Sequence, residues 1–163
     1  MQNEPKQNAT TPNTEAVKPS ARHAARRYAL QAMYQWQVAH TALADIEQTF
    51  LQNHLNKETD TAFFKELIHG IPAHQAQIDE EMKPFLSRSL TEIDPVELAV
   101  LRLAIYEFLY RPDIHYRIII NEALELTKKF GSIEGFKFVN GVLDRVAKKI
   151  RVNEINMEKN KSK

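Results

Sequence analysis

Cysteine is absent from this 163-residue chain, and glycine occurs only four times. The absence of cysteine excludes a disulfide framework, a thiolate metal site and a cysteine nucleophile, and it fits a reducing compartment. Loops that cradle phosphate groups need a run of glycines and a lysine, whereas Gly131 and Gly135 stand outside any such run. No window approaches the roughly 18 consecutive apolar residues of a membrane-spanning helix. We therefore expect a cytoplasmic protein without membrane association or a cofactor.

Groupings of residues that would indicate catalysis or metal binding are also scarce. The six histidines are scattered, and the closest pair, His69 and His74, is separated by Pro72. The acidic residues at 79–81 and at 122 and 125 are typical of exposed helix faces rather than of an acid and base pair. We expect neither a metal site nor an enzyme.

Charge is distributed unevenly, although the formal net charge is only +1. Arginines and a histidine make residues 22–27 basic, lysines and arginines dominate from residue 145 onward, and acidic residues cluster at 79–81. A protein with regions of opposite charge is suited to two kinds of partner.

Apolar residues at helical spacing, without alternating strand patterns, predict an all-α protein, a compact bundle of about six or seven helices. With 43% hydrophobic residues the chain can bury the core of one domain. We expect residues 1–20 to be a disordered tail, 21–152 to form a single helical domain and 153–163 to be a disordered basic tail. Gly141, in the last helix of the domain, indicates a place where a neighbouring helix approaches closely.

Helix boundaries are marked by local signals. Ser20 is a plausible N-cap for a first helix that runs to about Val38, and Pro72 should kink or break a helix that starts at Asp60. The strongest signal is Asp94-Pro95-Val96-Glu97, with aspartate at the N-cap, proline at the first helical position and a glutamate that can return the capping hydrogen bond. Two further helices, in residues 116–146, meet at Gly131.

Two features indicate nucleic-acid binding. Arg22 and Arg26 are four residues apart, so they share a helix face, and Arg27 lies beside them, which suits contacts to phosphates. Around Gly131, aromatic and basic residues alternate, as in proteins on which single-stranded bases stack; these are Lys128, Lys129, Phe130, Phe136, Lys137 and Phe138. On composition alone, a core position is the favoured alternative for Phe85, Phe130 and Phe138, and the role of Phe136 stays open.

Motifs that extend over nearly everything but the tails add a family resemblance. They are Ala25-Arg26-Arg27 with Ala32-Met33-Tyr34-Gln35-Trp36, Met82-Lys83-Pro84-Phe85-Leu86, Val100-Leu101-Arg102 with Ile105-Tyr106-Glu107, Ile120-Asn121-Glu122-Ala123, and Lys137-Phe138-Val139-Asn140-Gly141-Val142-Leu143-Asp144. In this order they resemble the NusB family of bacterial transcription antitermination factors.

The resemblance implies an all-helical protein that pairs with the ribosomal protein NusE. Such pairs bind the single-stranded boxA sequence of nascent RNA and help RNA polymerase to resist termination, notably on ribosomal RNA operons. The residues that the resemblance assigns to RNA are Arg22, Arg26, Arg27, Phe85, Phe130, Glu134, Lys137 and Phe138. Val96 and Glu97 would face NusE. The arginines and phenylalanines together predict a base-stacking platform beside a phosphate clamp.

Two alternatives and two questions accompany this interpretation. A similar helical domain precedes the catalytic domain of some ribosomal RNA cytosine methyltransferases, but such an enzyme needs a cofactor-binding domain and a reactive cysteine, and we expect neither here. The second alternative is a purely structural helical interaction domain that does not bind RNA. The preferred RNA sequence and a homodimer of the free protein remain open.

Overall fold

A computed structural model describes residues 17–161, and within that range all regular secondary structure is helical. The eight α-helices are α1 (Pro19–Ala39), α2 (Leu43–Asn53), α3 (Thr61–Ala73), α4 (Gln75–Met82), α5 (Pro95–Tyr110), α6 (Tyr116–Phe130), α7 (Ile133–Ile150) and α8 (Val152–Lys161). Two 3₁₀ turns, Lys83–Phe85 and Leu90–Glu92, connect α4 to α5. The all-α prediction is confirmed, and no helix in this range is long and apolar enough to cross a membrane.

Helix α5 forms the centre of the bundle. It packs against α1, α3, α4, α6 and α7, and its residues from Ala99 to Phe108 are all buried. Its start matches the sequence signal, because the Asp94 carboxylate accepts hydrogen bonds from the backbone N–H groups of Val96 at 2.9 Å and Glu97 at 3.3 Å. The Glu97 carboxylate interacts with the Asp94 backbone, as the capping signal predicts, and it also lies beside Gly135 in the first turn of α7.

Of three other local predictions, the break at Pro72 is confirmed and the other two differ from the structure. Helix α1 begins at Pro19 and not at a capping Ser20, because proline itself occupies the first turn and Lys18 is at the N-cap without a side-chain bond. The expected break occurs where α3 ends, one residue after Pro72. Gly141 is not a site of close helix approach, since no atom lies within 4 Å of a Cβ placed there.

The C-terminal region differs most from its prediction. Residues 152–161 form α8, where polar composition predicted a disordered tail. The physical reason lies in contacts with distant residues: Arg151 donates to the carbonyl groups of Glu107, Phe108, Arg111 and Ile114. The acidic side chains of α8 then bond to the start of α6. Of the predicted N-terminal tail, residues 1–16 lie outside the described residues, and α1 already includes its last two positions.

Candidate nucleic-acid interface

The arginines of α1 do not share one environment. Arg26 is only 3% exposed, and it bonds the 2% exposed Glu107 through Nη2 to Oε1 at 2.7 Å and Nε to Oε2 at 3.0 Å. The prediction that Arg26 contacts phosphate is therefore wrong, because its charge is directed into the bundle and is already neutralised. Arg22 and Arg27 are half-buried and have no carboxylate partner among the described residues.

An aromatic ring lies at the centre of this arginine cluster. The guanidinium carbons of Arg22, Arg26 and Arg111 lie 6.0, 5.1 and 5.3 Å from the centroid of Phe63 on α3. The ring face attracts each cation, which offsets part of the repulsion among them. This packing holds Arg22 at the protein surface near the start of α1.

Glu107 shows how the bundle accommodates the buried charge. Burial raises the pKa of its carboxyl group above the ordinary value, and the hydrogen bonds and charge of Arg26 oppose that rise. A second carboxylate on α6 joins the network, because Glu122 Oε2 lies 2.5 Å from His23 Nδ1 and 3.8 Å from Arg26 Nη1. The network connects α1 to both α5 and α6.

The aromatic residues near Gly131 lie on two different surfaces. Phe130 is 37% exposed and lines a groove of about 400 Å³ together with Leu30, Tyr34, Phe50 and Val96. Lys129 Nζ lies 5.7 Å from the centroid of the Phe130 ring. Because Val96 lines the same groove, a residue assigned to RNA and a residue assigned to NusE occur together here.

Phe138 lies on another side of the junction, next to the turn between α4 and α5. It is half-buried against the core, as is Phe85, whose 3₁₀ turn packs on α7. The guanidinium carbon of Arg88 lies 4.7 Å from the centroid of the Phe138 ring. Arg88 is not among the residues predicted to bind RNA, although it follows Phe85 by only three residues.

The first turn of α7 presents the other predicted RNA residues. Ser132 is the N-cap, and its hydroxyl accepts a hydrogen bond from the N–H group of Gly135 at 3.0 Å. Glu134 and Lys137 are both exposed. Glu134 also complements the positive end of the helix dipole, so its carboxylate has a structural role besides any contact with a partner.

The predicted partner residues differ in exposure. Val96 is half-buried, whereas Glu97 is 8% exposed beneath α7, so the prediction of Glu97 as a surface contact is corrected. Burial is the main cause that raises the pKa of the Glu97 carboxyl group, the nearby Asp94 charge raises it further, and the Arg88 charge opposes both. Tyr34, which is 41% exposed, is the surface residue that sequence reasoning did not assign to this groove.

Phe130 lies closer to the arginines of α1 than their separate roles suggest, since its groove is lined by Leu30 and Gln31, within about one turn of Arg27. Helices α1 and α5 are antiparallel, since Arg26 bonds Glu107 near one end while Gln37 Nε2 donates to the Pro95 carbonyl at the other. Ten residues of α5, at 1.5 Å each, separate Glu97 from Glu107 by about 15 Å. The base-stacking platform beside a phosphate clamp stays a prediction, with Arg26 excluded from its surface by burial.

Within residues 17–161, no three histidine, aspartate or glutamate side chains are grouped to hold a metal ion. The side chains gathered near the start of α1 and near Gly131 are cations and aromatic rings, together with the exposed Glu134. Cations and ring faces suit binding to phosphates and bases.

Comparison with known proteins identifies one family, which is the family that the sequence motifs resemble. The sequence model of the NusB family matches residues 23–148. The transcription antitermination protein NusB of Pseudomonas entomophila is 47% identical over 148 residues, covering 89% of each chain, and that of Shewanella amazonensis is 49% identical over 130 residues, covering 80% of this chain and 97% of the relative.

Solved structures give the corresponding result for the fold. T. maritima NusB is 34% identical with a TM-score of 0.66, covering 77% of this chain and 89% of that one. A crystal structure of the antitermination factors NusB and NusE in complex with dsRNA contains a chain that is 26% identical, with a TM-score of 0.69 and coverage of 78% and 96%. Sequence and fold agree: the chain belongs to the NusB family.

Proposed function

We propose that this protein is a transcription antitermination factor that acts by binding and not by catalysis. With NusE it binds boxA-type single-stranded RNA in nascent transcripts and helps RNA polymerase to resist termination, notably on ribosomal RNA operons. It works in the cytoplasm, where transcripts are made. The observation that carries the proposal is the presence, on a NusB-family fold, of arginines on α1 without an ion pair among the described residues and of partly exposed aromatic residues beside cations near Gly131.

Two groups of residues have distinct roles in RNA binding. Arg22 and Arg27 supply charge to phosphates, because neither has a carboxylate within ion-pair distance among the described residues, although the Arg22 charge also acts on Asp113. Phe138 and Phe85 supply ring surface for bases, while Lys137 supplies a charge beside them.

The groove lined by Tyr34, Val96 and Phe130 is the proposed contact for NusE. Its volume is about 400 Å³ and its lining is mainly apolar, which suits a protein side chain more than a phosphate. Phe130 lines this groove and is also assigned to RNA by the family resemblance. Phe130→Ala is therefore tested for binding both to NusE and to RNA.

Titration of labelled boxA single-stranded RNA, with and without NusE and at several salt concentrations, tests the proposal. We expect NusE to increase the affinity and log Kd to rise with log salt. Because a similar solved chain is in a complex with dsRNA, a duplex of the same sequence serves as a competitor. Absence of RNA binding with or without NusE would refute the proposal and favour a purely structural domain.

Substitutions at the arginines and at Phe138 separate phosphate binding from base stacking. Arg22→Ala combined with Arg27→Ala should weaken binding and flatten the salt dependence by about 1.4 in slope, at about 0.7 for each charge on a single strand. Phe138→Ala should weaken RNA binding by about 1–3 kcal/mol without changing the slope of the salt dependence. If Phe138→Ala unfolds the protein instead, the ring has a core role only.

A further inference from the structure

Most arginines of the described chain are neutralised by carboxylates. Of the nine, five make ion pairs: Arg26, Arg102, Arg111, Arg117 and Arg151. The remaining four have no carboxylate partner among the described residues: Arg22, Arg27, Arg88 and Arg145. Charge that is not neutralised inside the protein is available for phosphate. Arg88 is the member of this group that also lies over an aromatic ring assigned to RNA.

Two lysines near Arg88 are paired with carboxylates. Lys83, in the same connection between α4 and α5, pairs with Glu80 at 2.7 Å, and Lys149 of α7 pairs with Glu81 at 3.0 Å. Arg88 is exposed, and its guanidinium carbon lies 4.7 Å from the centroid of Phe138. Of these cations, Arg88 is the one that has no ion pair among the described residues and places a planar group over a ring.

We propose that Arg88 is a nucleotide-binding residue whose guanidinium forms the outer layer of a stack on Phe138, against which one base of a single-stranded RNA packs. The remaining N–H groups of the guanidinium then bond a phosphate of the same strand. Guanidinium planes stack on bases as aromatic rings do, and their donors match phosphate oxygens. This inference rests on the proposed RNA binding and assigns a residue that the sequence analysis did not.

The location of Arg88 also links the two proposed surfaces. Its charge acts on the buried carboxylate of Glu97, which neighbours Val96 of the apolar groove. Phe138, on the other side of Arg88, belongs to the RNA region. Arg88 thus lies between the surface proposed for RNA and the surface proposed for the protein partner.

Three substitutions separate the planar group from the charge. Arg88→Lys keeps the charge but removes the plane, Arg88→Gln keeps a planar amide but removes the charge, and Arg88→Ala removes both. The probe is a fluorescent boxA single-stranded RNA, titrated without NusE over a salt series. The matched control is Lys148→Ala, which removes a charge that is 64% exposed from the far end of α7.

We expect Arg88→Ala to lose about tenfold in affinity and to flatten the salt dependence by about 0.7 in slope. Arg88→Gln should flatten the slope by the same amount, whereas Arg88→Lys should keep the slope and lose about fivefold. Lys148→Ala should match the unsubstituted protein. Circular dichroism checks that each variant retains its helical content.

The outcomes distinguish this inference from the function it rests on. If the unsubstituted protein binds the RNA and Arg88→Ala binds equally well with the same slope, Arg88 is not a nucleotide-binding residue, while the proposed function stands. If Arg88→Lys behaves as the unsubstituted protein does, the guanidinium acts only as a charge and the stack is refuted. If the unsubstituted protein does not bind the RNA alone, the series is repeated with NusE, and absence of binding there too means that both proposals fail.

Discussion

Replacing Arg26 with alanine should destabilise the protein rather than remove a phosphate contact. Arg26 and Glu107 are 3% and 2% exposed and share three hydrogen bonds of 2.7–3.2 Å. Removing one partner of a buried ion pair leaves the other charge uncompensated, at a cost of about 3–5 kcal/mol. That is a large part of the roughly 5–15 kcal/mol by which a domain is stable.

The loss is measurable as a shift of the unfolding midpoint. At about 2–4 °C for each kcal/mol in a chain of this size, Arg26→Ala should lower Tm by roughly 6–20 °C. Urea denaturation, followed by the fluorescence of the single tryptophan and by circular dichroism, gives the free energy directly. The matched control is Arg27→Ala, which loses a cation–π contact with Tyr28 at 5.0 Å and should cost less than about 1 kcal/mol.

The pH dependence of Arg26→Ala identifies the cause. Burial already raises the pKa of Glu107, and Arg26 opposes that rise, so the substitution raises the pKa further. A carboxyl group whose pKa is higher in the folded state than in the unfolded state costs no stability at low pH, where it is protonated in both states. It destabilises the fold increasingly as the pH rises from the unfolded pKa through the folded pKa. The deficit should therefore be small in acid and grow toward neutral pH.

Two results would refute this reasoning. The first is an Arg26→Ala variant of unchanged stability that loses RNA affinity and salt dependence, which would place Arg26 on the RNA. The second concerns the double variant Arg26→Met with Glu107→Leu, which removes both charges and keeps the volume filled. It should recover most of the stability, and a further loss would mean that the pair itself is strongly stabilising.

The remaining predictions concern the glycines of α7 and the C-terminal helix. Gly135→Ala should cost about 1–3 kcal/mol in urea denaturation, because its Cβ would lie 2.3 Å from a carboxylate oxygen buried beneath α7. Gly141→Ala, with open space around it, should stabilise by about 0.5–1 kcal/mol in the same assay. Arg151→Ala should lower the free energy of unfolding by about 3–5 kcal/mol, since the carbonyl groups of Phe108 and Ile114 lose their guanidinium donor and Glu154 its ion-pair partner, and an unchanged Tm would contradict this. The Tyr116 hydroxyl, followed by His115 and Arg117, holds the pKa of Glu158 below its usual range, so NMR relaxation should show α8 docked above the ordinary glutamate pKa and released as the pH falls through the lowered value.

Short-range signals were sufficient for most of the fold. The start of α5 follows from aspartate and proline within four residues, and the break after α3 follows from Pro72 alone, because capping and proline geometry depend only on neighbours in sequence. Motifs spread over the chain were sufficient for the family, which the comparisons confirm.

Long-range contacts explain what sequence reasoning missed. Arg22 and Arg26 lie four residues apart on one face of α1, but Arg26 is buried because Glu107, 81 residues later, faces it. The polar residues of α8 have the composition of a tail, and Glu154 and Glu158 find their partners about 40 residues earlier, at the start of α6. Periodicity indicates that residues share a face but not which face meets which neighbour.

The contacts of Arg151 have a consequence for the order in which the protein acquires its fold during synthesis. Its guanidinium bonds the carbonyl group of Phe108, made 43 residues earlier. At about 5–20 residues per second, a ribosome needs roughly 2–9 s to reach Arg151 after the end of α5 has been made. During that interval the Phe108 carbonyl group lacks its guanidinium donor and is open to water. A nascent chain that stops short of residue 151 therefore leaves its central helix without this C-terminal contact, which forms only after the whole of α7 has been translated.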